Sequence, residues 1–72
     1  MDYGELRTAV LEGTVDHLTS AEVALLFWVN PRTVGTWKQQ GKIEGFYTPG
    51  HRLRFKAEQF RTMITEGTSP GG

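Results

Sequence analysis

Two helix-start signals lie only eleven residues apart, and that spacing constrains the fold of this chain more than any other feature. The first is Thr19 with Glu22 three residues later, the capping-box pattern in which each side chain satisfies a backbone amide of the other. The second is Asn30-Pro31: asparagine caps, and proline suits the first helical position because its missing amide would have had no partner there. After the first signal, Val23, Ala24 and Phe27 recur at the spacing of a buried helical face, with Leu26 close to it. This predicts a helix from near Ser20 to Phe27 or Trp28. After the second, Gly41 behind Gln39-Gln40 is a natural stop. Only two or three residues around Val29 remain to join the two helices. So short a connection prevents them from running antiparallel along their lengths and predicts an angled helix-turn-helix corner.

Beyond Gly41 the apolar period changes from helical to alternating. Arg52-Leu53-Arg54-Phe55 reads as a strand with its apolar residues on a core and its basic ones in solvent, and Ile43 to Tyr47 can supply its partner. Between them, Thr48-Pro49-Gly50-His51 fits a type II turn, with proline second and glycine third. Phe60, Met63 and Ile64 mark a closing amphipathic helix that should end near Gly67. The expected organisation is an N-terminal extension over 1–17, a folded domain over 18–66 and a flexible tail over 67–72. Tyr3, Leu6 and Val10 permit a short helix in the extension, ending at Gly13.

At 72 residues the chain makes one small domain that can bury only about 60% of its unfolded surface, which leaves little room for a deep catalytic cavity. It has no cysteine, so disulfides, thiolate nucleophiles and the usual structural zinc sites are excluded, and two histidines offer no metal site. The longest apolar run, Val23 to Val29, is far below the roughly 20 residues of a membrane span, and the first residues do not resemble a signal peptide. A cytoplasmic protein with no cofactor, no membrane and no small-molecule ligand is expected. Asp16-His17 with Ser20 or Ser69 makes a triad only on paper, since nothing supplies oxyanion donors or a rigid pocket; the chain is not expected to be an enzyme.

The charge balance, 8 Lys+Arg against 8 Asp+Glu, is a cancellation between unlike halves. Residues 1–31 hold Arg7 against Asp2, Glu5, Glu12, Asp16 and Glu22, a net −4. Residues 32–61 hold seven bases (Arg32, Lys38, Lys42, Arg52, Arg54, Lys56 and Arg61) against Glu44 and Glu58, a net +5, and Glu66 in the tail closes the sum at zero. Such asymmetry points to an anionic partner or to head-to-tail association of the two poles. On a helical wheel Val34 and Trp37 face a core, while Arg32, Thr36 and Gln39 gather on the opposite side, with Thr33 near the start. In a helix-turn-helix the outward face of the second helix enters the major groove, where arginine pairs with guanine and glutamine with adenine. A basic hairpin beside it would grip the backbone or minor groove through His51, Arg52 and Arg54.

The order Leu18-Thr19-Ser20-Ala21-Glu22-Val23-Ala24, Val29-Asn30-Pro31-Arg32-Thr33-Val34, Trp37, Gly41-Lys42-Ile43 and His51-Arg52-Leu53-Arg54-Phe55 resembles the MerR-type winged helix-turn-helix. Its likeness is to BldC-like regulators and to phage or plasmid excisionases, and it covers residues 18–64. The resemblance implies a mainly α fold with a small two-stranded wing and no catalytic activity. It also implies cooperative, head-to-tail binding of duplex DNA with bending. The implied DNA contacts are Arg32, Thr33, Thr36, Lys38 and Gln39 on the second helix and His51, Arg52 and Arg54 on the wing. Two departures stand out. Gly35 and Thr36 occupy positions where many relatives carry a basic residue, and the wing lacks the Gly-Gly-His-Arg-Arg run of BldC itself. Trp28, a large aromatic at the corner, is a candidate anchor for self-association. The expected function is an excisionase acting beside an integrase, with a BldC-like transcriptional regulator as the alternative. A protein-interaction adaptor without DNA binding is the further alternative, motivated by the acidic first half and Gly35.

Overall fold

A computed structural model describes residues 2–71. Four helices and a three-stranded antiparallel sheet follow one another as α1 (Tyr3–Glu12), β1 (His17–Leu18), α2 (Ser20–Phe27), α3 (Pro31–Gln39), β2 (Gly45–Tyr47), β3 (Leu53–Lys56) and α4 (Glu58–Glu66). The molecule is mainly α. No helix among the described residues is long and apolar enough to cross a membrane.

Local chemistry explains the starts of α1, α2 and α3 and all four helix ends. Asp2 caps α1 by accepting from the Glu5 amide at 2.8 Å. At α2 the capping box is reciprocal: the Glu22 amide donates to Thr19 Oγ1 at 3.1 Å, and the Thr19 amide donates to Glu22 Oε1 at 2.9 Å. Asn30 caps α3 through the Arg32 amide at 2.9 Å, with Pro31 opening the helix. All four helices close with an amide reaching back five residues: Thr14 to Ala9, Val29 to Ala24, Lys42 to Trp37 and Thr68 to Met63. The residue before each of those donors is left-handed: Gly13, Trp28, Gly41 and Gly67.

Strand order is β1-β3-β2. The register sets Leu18 and Gly45 opposite Phe55, Tyr47 opposite Leu53, Phe46 opposite Arg54 and His17 opposite Lys56. Because side chains alternate, Gly45, Tyr47, Leu53, Phe55 and Leu18 share the inner face; His17, Phe46, Arg54 and Lys56 share the outer one. Phe55 and Phe60 are the largest fully buried side chains, with Leu6, Val10, Leu18, Val23 and Val34 around them and Trp37 closing the cluster. Phe27, half-buried, sets its ring edge against Trp37 and Phe60, with centroids 5.8 and 5.6 Å away.

Residues 2–17, expected as an extension that could hold a short helix, pack against the core. Leu6 and Val10 of α1 are fully buried, and β1 pairs with β3, so the expected two-stranded wing is instead part of a three-stranded sheet, because a chain this short needs that apolar surface to close its core. The tail also turns back, and a Cβ placed on Gly71 would meet Trp37 Nε1 at 2.8 Å; Gly72 lies outside the described residues. The hairpin turn is not type II. The His51 amide donates to the Thr48 carbonyl at 2.8 Å, but the positive φ (60°) belongs to His51 and not to Gly50. With Thr48 N donating to Arg52 O at 2.9 Å, this is the three-residue loop in which a tight turn is followed by one left-handed residue. Histidine tolerates that conformation better than most residues do.

Candidate nucleic-acid interface

The two elements expected to meet a duplex are adjacent. Helix α3 buries Val34 and Trp37 and turns Arg32, Gly35, Thr36 and Gln39 outward, all exposed; Thr33 is half-buried beside the cap. Thr36 Oγ1 donates to the Arg32 carbonyl at 3.2 Å, so its hydroxyl proton is used within the helix and its oxygen remains an acceptor. A Cβ on Gly35 would meet nothing within 4 Å, which leaves the middle of this face open to close approach.

The hairpin joins this face through Lys38. Its side chain lies across β2, where a Cβ on Gly45 would stand 3.1 Å from Lys38 Cε, 3.0 Å from the Phe55 ring and 3.2 Å from Leu53 Cδ1. Only glycine lets the lysine stem cross there without something moving. Lys38 Nζ ends 5.6 Å from the centre of the Tyr47 ring, within cation–π range. At the base of the hairpin Gln59 holds the Glu44 backbone from both sides, accepting from its amide and donating to its carbonyl, each at 2.8 Å. The hairpin is thus fastened to α3 at one end of β2 and to α4 at the other.

The expected contact residues divide. His51 and Arg52 stand exposed at the hairpin tip, where the Arg52 amide donates to Thr48 Oγ1 at 3.2 Å. Arg54 does not stand with them on the side of α3. Its register puts it on the outer sheet face beside Phe46, half-buried, with Nη1 donating to the Leu53 carbonyl at 2.8 Å. Arg61, part of the basic half, is spent on the fold: its Nε donates to the Val10 carbonyl at 3.0 Å and ties α4 to the end of α1. Among the described residues the guanidinium groups of Arg32 and Arg52 take no hydrogen bond. Arg32, Thr36, Lys38, Gln39, His51 and Arg52 therefore belong to α3 and the hairpin joined to it, and Arg54 lies apart with Lys56 and His17.

Sequence reasoning missed Tyr47 and Gln59. From the sequence Tyr47 reads only as the end of a strand, yet it is 63% exposed and faces the lysine. Its alternation with Gly45 was the available signal, because a glycine and an aromatic on one strand face leave room for a side chain from another element. Gln59 carried no signal, since its partner is a backbone 15 residues away.

Away from this surface, Trp28 is 75% exposed at the α2–α3 corner, and its ring lies 5.2 Å from that of Tyr3. His17 sits exposed on the outer sheet face, edge-on to Phe46 at 5.6 Å. No group of three His, Asp or Glu among the described residues is placed to hold a metal. The sequence matches no protein-family model, and no curated protein matches it.

Proposed function

We propose that α2, α3 and the β2–β3 hairpin form a winged helix-turn-helix that binds duplex DNA, with α3 in the major groove and the hairpin on the backbone. The observation that carries this reading is the link between two exposed elements: Arg32, Thr36 and Gln39 are outward on α3, Lys38 crosses from α3 to Gly45 and Tyr47 of the hairpin, and His51 and Arg52 are exposed at that hairpin's tip. Arginine and glutamine read base edges, while lysine, arginine and backbone amides position the protein on phosphates. The role is that of an accessory protein in DNA recombination, an excisionase working with an integrase. The same surface serves the alternative role, a small transcriptional regulator in the cytoplasm. Copies stack head to tail along the duplex, the acidic first half of one against the basic flank of the next, with Trp28 at the contact.

Titration of labelled duplex at several salt concentrations tests the reading. Affinity should fall log-linearly with salt, by about 0.9 in slope for each phosphate neutralised. A flat or absent response would leave the adaptor reading, which the exposed Trp28 favours. Arg52→Ala should weaken binding to all duplexes alike, whereas Arg32→Ala should cost about 1–3 kcal/mol on the preferred sequence and flatten the preference. Equal loss on every sequence for Arg32→Ala removes it from base reading.

A further inference from the structure

Lys38 and Tyr47 belong to different elements, one to the last turn of α3 and the other to the end of β2, and between them only the lysine is charged. A lysine at the end of a helix ordinarily sweeps a wide cone of solvent, because its stem has four rotatable bonds. Here the far end of the stem is confined. Cε passes over Gly45, where a single added carbon would meet it at 3.1 Å, with Leu53 and Phe55 crowding the same spot. The ammonium ends 5.6 Å from the centre of the Tyr47 ring, and Tyr47 is largely exposed. An ammonium held this way keeps donors free for an anion, because a ring quadrupole occupies only one side of it.

We infer that Tyr47 is a positioning residue for DNA binding, holding the Lys38 ammonium beside the hairpin so that it meets the phosphate lying between groove and wing. The inference rests on the DNA-binding reading and deepens it. Tyr47 thereby contributes to the electrostatic part of binding without carrying a charge. The ring also fixes the hairpin against α3, so that the tip residues His51 and Arg52 and the helix face address the duplex as one surface.

Salt dependence separates this role from a structural one. Lys38→Met keeps the stem over Gly45 and removes the charge, so its slope of log affinity against log salt should be shallower by about 0.9, one phosphate. Tyr47→Leu leaves every charge in place, yet it should lower the slope by the same amount, because the released ammonium no longer holds its phosphate. Across a fourfold change in salt that is about a 3.5-fold smaller loss of affinity than wild type shows. Tyr47→Phe should restore the wild-type slope, and Lys38→Met with Tyr47→Leu together should equal either alone. Tyr47 is exposed, so the melting temperature of each variant serves as the folding control. An unchanged slope in Tyr47→Leu or in Lys38→Met, or an additive double variant, overturns the inference while DNA binding stands. Wild-type protein that shows no salt-dependent duplex binding overturns both.

Discussion

The four helix ends share one backbone solution but not one residue type. At α1, α3 and α4 the left-handed position is glycine, with φ of 76°, 75° and 72°; at α2 it is Trp28, with φ 58°. For an L-residue that conformation costs about 1–2 kcal/mol, because Cβ crowds the following carbonyl. Three ends therefore use the residue that adopts the turn freely, and the end at the α2–α3 corner does not. What the corner gains is visible in the ring. A left-handed residue leaves the helix sideways, and Trp28 uses that direction to meet Tyr3 at 5.2 Å on the first helix. An aromatic pair of this kind contributes about 0.5–1.5 kcal/mol, which offsets much of the strain. Glycine ends a helix and nothing more; tryptophan ends one and fastens another.

The comparison breaks hardest at Gly13. There a Cβ adds left-handed strain and also meets Arg61 Nη2 at 3.2 Å, on a side chain already held by the Val10 carbonyl. Gly13→Ala should cost about 2 kcal/mol or more, since both the conformation and a charge-assisted bond are disturbed. In a domain of this size that lowers Tm by about 8–16 °C, measurable by thermal unfolding. Gly41→Ala and Gly67→Ala meet open space, so strain acts alone and each should cost about 1 kcal/mol. If Gly13→Ala proves no worse than these two, Arg61 is not holding α4 to α1 as its hydrogen bond implies.

The same contrast explains what could be read from the sequence. The capping box at Thr19 and Glu22, the Asn30-Pro31 start and the glycine stops are local signals, and the bounds of α2 and α3 follow them to within about a residue. Val34 and Trp37 turn inward as the helical period requires. Non-local features were not legible. The pairing of β1 with β3 joins residues far apart in the chain, and the grip of Arg61 on Val10 spans 51 positions. The turn misled because Pro49-Gly50 matches the type II pattern, while the loop length needed to pair Thr48 with Arg52 puts the left-handed residue at His51. Among the expected contact residues the helix positions were readable by wheel. Arg54 was not, because alternation alone places it opposite to Leu53 without saying which face adjoins α3.

The smallest stability effect is expected at the corner itself. Trp28→Gly relieves the left-handed strain and forfeits the Tyr3 pair, two terms of about 1 kcal/mol with opposite signs, so denaturant unfolding should give a stability within about 0.5 kcal/mol of wild type. The near-cancellation is checked by a double-mutant cycle. Tyr3→Ala should destabilise the wild-type protein, and in the Trp28→Gly background its cost should shrink by the pair's coupling of about 0.5–1.5 kcal/mol. A Trp28→Gly variant more stable by over about 1 kcal/mol would mean that the ring does nothing for the fold. The strain would then have to be maintained for a contact outside the monomer. Under the proposed DNA binding there is a second readout. With three quarters of its surface still exposed, the indole is available to a neighbouring copy, so Trp28→Gly should leave affinity for a single site unchanged and reduce cooperativity on a duplex with several sites. Loss of single-site affinity instead would place the ring at the duplex, and unchanged cooperativity would confine its role to holding α1 against the corner.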